Sequence, residues 1–201
     1  MKPELAHHLD NLGATVAEVE RIVDLHKYPA DPRTVLVRGL LATIVQHHRS
    51  IVLLIKSGID GSAYALARDI IRGARYGLWI NCCATSDQIL GIHEEDGSAL
   101  SIPEMNKEIE AAYQGDPFFT ELIDRWAAKI YRYSRLTIVR AGQFSIDPKS
   151  GLGRDEEEVG DVVTTTTVCI VVLASKFLGT QKLVDESKQV EALATAYAEE
   201  S

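Results

Sequence analysis

The chain of 201 residues carries 21 Lys and Arg against 29 Asp and Glu, a net charge of −8, with 46% hydrophobic residues. That apolar share suffices for one buried core in a single domain over residues 1–201, while the acidic balance argues against a general affinity for nucleic acid or anionic membrane. Cys82, Cys83 and Cys169 match neither a disulfide framework nor a zinc pattern, and Met1-Lys-Pro-Glu-Leu-Ala-His-His8 holds no apolar leader, so a cytoplasmic protein with reduced thiols and no cofactor is expected.

Leu5, Leu9, Leu12, Val16, Val19 and Val23 recur at alternating four and three residues, the seam of an amphipathic helix ending near His26. Tyr28-Pro-Ala-Asp-Pro32 breaks it. Asp31 and Pro32 then supply a cap and a first-turn proline for a second long helix, patterned by Val37, Leu41, Ile44, His48, Ile51 and Ile55 and closed by Gly58. The two are expected as an antiparallel hairpin. A third helix over 60–83 is mostly Ala, Gly, Leu and Ile but places Arg68, Arg72 and Arg75 at i, i+4 and i+7, along one side.

A short helix capped by Ser86 or Asp87 should run to about Asp96. Pro103 suits the first turn of another at 103–113, and Asp116-Pro117 opens a longer one reaching Arg140, with Gly142 as its stop. Residues 143–154 read as one long loop. Val162 to Val172 has strand propensity, yet acids at 155–161 and Lys176 and Gly179 at the other end frame a helix over about 155–178. A last helix over 181–199 keeps Leu183, Val190, Leu193 and Tyr197 on one face. The apolar stretches 35–55 and 162–173 are interrupted by charge or too short, so no membrane span is expected.

Few motifs carry chemistry. The arginine stripe reads either as an anion site or as a solvated, ion-paired face, with Tyr64 and Trp79 at similar angles as groove aromatics or as core. Arg125, Lys129, Arg132, Arg135 and Arg140 project from one side of the 117–140 helix, opposite Phe118, Leu122, Trp126, Ile130 and Tyr133; that face could meet RNA, a nucleotide or an acidic partner, or only solvent. His7-His8 and His47-His48 are adjacent pairs, which diverge on a helix and cannot chelate one metal, so no metal site is expected. His47 or His48 could act as acid or base if brought beside the arginines. Arg21 and His26 match a ribonuclease-like Arg-His spacing that one chance occurrence in a chain of this composition would supply.

The stretch His47-His-Arg-Ser-Ile-Val-Leu-Leu-Ile-Lys-Ser-Gly-Ile-Asp-Gly-Ser-Ala-Tyr-Ala-Leu-Ala-Arg68, with Tyr76-Gly-Leu-Trp79 and Cys83-Ala-Thr85, resembles a family of bacterial helical proteins of unknown function. There a Gly-x-x-x-Ser-Ala turn opens a helix with an early Arg and a later Gly-Leu-Trp; the likeness is clearest over residues 44–90. An acid near Arg72, an Arg near Tyr76 and a His-Gly-Gly element near Val139–Gly142 are not matched. More widely the chain resembles HEPN-like (higher eukaryotes and prokaryotes nucleotide-binding) bundles, several of them RNA-cleaving toxins or phage-defence components. Their Arg-His motif lies late in the bundle, whereas Arg21 and His26 are on the first helix.

The expected architecture is therefore an all-α, single-domain, up-and-down helical bundle of about five long and two or three short helices, HEPN-like, forming a homodimer through an apolar helix face. The expected function is non-catalytic binding of an anionic or nucleotide-like ligand, or RNA, by Arg68, Arg72 and Arg75 with His47, His48 or Arg140. The alternatives are a metal-independent RNA-cleaving enzyme of a defence or toxin-antitoxin system, and a purely structural subunit.

Overall fold

A computed structural model describes residues 1–93, 100–114, 118–146 and 155–198, with side chains at 93, 118–119, 137–146 and 194–198 left aside. Among the described residues are eight helices and no strand: α1 (Pro3–Asp24), α2 (Pro32–Lys56), α3 (Asp60–Cys82), α4 (Ser86–His93), α5 (Ile102–Ala112), α6 (Phe118–Ile146), α7 (Glu156–Thr180) and α8 (Val184–Ala198). The protein is an all-α bundle.

The ends of the helices follow local chemistry. Asp31 caps α2 by accepting from the Thr34 N–H at 3.1 Å, and Gly58 follows its C-terminus at φ +74°. Asp155 caps α7 by accepting from Glu157 N and Glu158 N at 3.0 and 3.2 Å. At α4 the cap is Thr85 rather than Ser86 or Asp87: its hydroxyl accepts from Gln88 N at 3.3 Å while its own N–H donates to Gln88 Oε1 at 2.7 Å. Gly142 does not stop α6, which continues to Ile146. One interior glycine costs only about 1 kcal/mol, too little to end a helix alone. The first four residues of the expected loop, 143–146, are thus helical, and its remainder, like Asp116-Pro117 and the end of α4 toward Asp96, lies outside the described residues.

Two helices, α3 and α7, make the centre. α3 packs on α2, α5, α6 and α7, and α7 on α1, α2, α3, α6 and α8. The Thr-rich run that resembles a strand is helical because its hydroxyls find partners from within a helix. Thr166 and Thr167 donate back to Val163 O at 3.0 and 2.9 Å, and Thr164 meets His8 Nε2 at 3.0 Å. The most apolar stretch of α7 has a mean hydropathy of 1.8 and is 72% buried, so packing within the bundle accounts for its apolarity.

Glycines set the spacing around α3. A Cβ on Gly73 would stand 2.8 Å from Ile44 Cγ2 of α2, and one on Gly77 2.6 Å from Leu173 Cδ2 of α7. Hydrogen bonds finish the C-terminal end of α3 from a distance. The Arg33 guanidinium, on the first turn of α2, donates to the carbonyls of Ile80, Asn81 and Ala84, satisfying helix-end acceptors and placing a cation at the negative end of the dipole.

Candidate anion-binding face

Helices α3 and α6 run antiparallel, as three contacts in reversed order show. Tyr64 meets Tyr133 with ring centroids 6.3 Å apart, Arg68 lies over Tyr131, and Arg75 pairs with Asp124. This register decides the fate of each arginine.

Arg75 turns inward and is only 6% exposed. Its guanidinium bonds the carboxylate of Asp124, whose second oxygen accepts from Asn106 Nδ2 at 2.9 Å, while Arg75 Nε has no partner. The buried charge is thereby neutralised, as burial requires, and Arg75 is not available to a surface ligand. The three-arginine stripe is reduced to two.

Arg68 and Arg72 are exposed. The Arg68 guanidinium lies 5.6 Å from the centroid of Tyr131, a ring that is itself 60% exposed, within range of a cation–π contact. Arg125, Arg132 and Arg135 of α6 are also exposed. None of these five arginines has an ion-pair partner among the described residues. Lys129 differs: its ammonium pairs with Asp161 of α7 at 2.5 Å, and the Tyr133 hydroxyl donates to the same oxygen at 2.6 Å. Burial and that carboxylate raise the Tyr133 hydroxyl well above the usual phenol range.

The histidines lie elsewhere. His48 is fully buried on α2 and bonds Thr167 Oγ1 through Nε2 at 2.9 Å. Because the Thr167 hydroxyl already donates to Val163 O, His48 Nε2 carries the proton and Nδ1, which has no partner, does not. Burial, helped by Arg49, pushes its pKa down to about 4, so the ring is neutral at pH 7. His47 is half-buried on the same helix, which packs on α3 and α7. His48 therefore faces α7 and not the exposed arginines, His47 has no hydrogen bond to an arginine among the described residues, and the Arg140 side chain lies outside them. The Arg21–His26 spacing produces no pair either: Arg21 bonds Glu18 at 2.6 and 2.7 Å, and His26 meets Glu186 at 3.3 Å. Among the described side chains no histidine is bonded to an arginine, and no group of acidic, histidine and cysteine residues could hold a metal.

Tyr64 and Trp79 belong to the core, 2% and 4% exposed, with the Trp79 indole N–H donating to Glu108 at 2.6 Å. The aromatic that does reach the surface beside the arginines is Tyr131. Its signal in the sequence is an aromatic lying off the buried stripe of its own helix, between Ala128 and Arg135. In comparisons with known families, curated proteins and solved structures, nothing matches this chain.

Proposed function

We propose that this protein is a non-catalytic binding module that takes a phosphate-bearing, nucleotide-like anion on the α3–α6 face. The observation carrying the reading is Arg68 lying over the exposed ring of Tyr131, with Arg72 one turn along α3, both arginines exposed and without carboxylate partners among the described residues. In a chain of net charge −8, exposed guanidiniums without an ion-pair partner among the described residues, as at Arg68 and Arg72, make a local positive field that attracts anions despite the overall balance. The planar guanidinium fork matches phosphate oxygens bidentately, and a flat aromatic beside it offers a base a stacking surface.

A cytoplasmic setting goes with this reading. The three cysteines are unpaired, and burial holds the Cys83 thiol up at about 11 and the Cys169 thiol at about 12, so both stay protonated and inert at neutral pH. Histidine-dependent RNA cleavage is the less favoured reading, because the buried, neutral His48 is directed at Thr167 and away from the arginines.

The test is a calorimetric screen of the protein against nucleotides and short RNA, repeated with an Arg68→Ala/Arg72→Ala variant. Binding that weakens about tenfold or more per arginine supports the site, each charged hydrogen bond being worth roughly 1.5–3 kcal/mol. Unchanged binding refutes it.

A further inference from the structure

On the opposite side of the bundle α1 and α2 diverge over a groove of about 270 Å³, floored by Val19, Val23, Leu41 and Val45. The two banks have opposite charge. Asp10, Glu20 and Asp24 line the α1 bank, and Lys56, Arg49 and Arg38 face them in reversed order from α2. Each bank also holds a mid-helix glycine with no reason inside the chain. A Cβ added to Gly13 or Gly39 would meet nothing within 4 Å, unlike Gly73 and Gly77, and each glycine costs its helix about 1 kcal/mol relative to alanine. Large apolar side chains stand exposed at matching heights: Leu53 is 66% and Leu25 63% exposed. By the register of the ion pairs, Leu53 is level with Gly13, and Leu25 with Gly39.

We infer that the α1–α2 face is a homodimer interface whose occupant is a second copy of this chain, related by a two-fold axis running along the groove. Such an axis sets α1 of one copy antiparallel against α2 of the other and keeps every residue at its height. The acidic bank then faces the partner's basic bank on both sides, so the surface is complementary to itself. Each exposed leucine comes opposite a glycine, which supplies the space for it. Helices of 22 and 25 residues present a face about 33 Å long and about 20 Å wide, or roughly 660 Å² per copy and about 1,300 Å² in total. That reaches the range of stable, specific interfaces.

The test is the mass of the purified full chain by light scattering and sedimentation, for the native protein and for Gly39→Arg and Leu53→Asp. Both substitutions sit at exposed positions, and Gly39→Arg improves helix propensity, so folding, checked by circular dichroism, is kept. The native chain of 22.1 kDa should sediment as a dimer at micromolar concentration, and each variant as a monomer. A native monomer at 100 μM would overturn the inference. So would variants that remain dimeric, which would place the contact on another face, or a native protein that dimerises only after capturing a different polypeptide.

Discussion

Replacing Gly77 by Ala tests the closest approach in the core. The added methyl would lie 2.6 and 2.9 Å from the two terminal carbons of Leu173, a side chain with no exposed surface and little room to turn. Forcing a methyl into packed interior costs about 1–3 kcal/mol, and the gain in helix propensity returns about 1 kcal/mol. The net loss of about 1 kcal/mol should lower the midpoint of thermal unfolding by about 2–4 °C in a chain of this size. The same change made together with Leu173→Ala is the sharper measurement. Leu173→Ala alone should cost about 2–5 kcal/mol, yet in that background Gly77→Ala has space and becomes neutral or stabilising, giving a coupling of about 1–3 kcal/mol in a double-mutant cycle. Calorimetric or denaturant unfolding of the four proteins reads this directly. If Gly77→Ala stabilises the native background, or the two changes simply add, α3 and α7 are not in contact at this point.

Two further outcomes follow from buried polar groups. His48, with a folded pKa of about 4 against 6.5 unfolded, binds its proton more readily in the unfolded chain between those values. Its contribution is therefore fully present above about pH 6.5 and lost as pH falls toward 4, by about 3 kcal/mol at most. Urea unfolding between pH 7 and 4 should show His48→Gln losing less stability than the native protein, and parallel curves would contradict the burial of the ring. Asp124→Ala removes the only carboxylate bonded to buried Arg75 among the described residues and should cost about 2–3 kcal/mol, against within about 0.5 kcal/mol for exposed Arg72→Ala. Equal unfolding midpoints for the two variants would refute the inward position of Arg75.

Apolar periodicity made the long helices legible. Leu5, Leu9, Leu12, Val16, Val19 and Val23 are all buried as their spacing requires, and the charge and caps at the ends of α7 outweighed its β-branched residues because Thr hydroxyls can bond back to the helix. Contacts between distant segments were not legible. Arg68, Arg72 and Arg75 share one spacing, yet Asp124 lies where only the last can reach it, and the order of α3 against α6 is written in no local pattern. The capping of α3 by Arg33, some fifty residues earlier in the chain, is of the same kind. His48 fits the apolar stripe of α2 and is buried there, so its position was readable, but its partner Thr167 on α7 was not.

Amide chemical-shift mapping during titration with ATP shows most directly whether the exposed arginines and Tyr131 form one anion-binding surface. Saturable shifts should concentrate at Arg68, Arg72 and Tyr131 on α3 and α6, be lost in the Arg68→Ala/Arg72→Ala variant and be weakened by Tyr131→Ala. Shifts centred on the α1–α2 groove, or none at millimolar ATP, would contradict that surface.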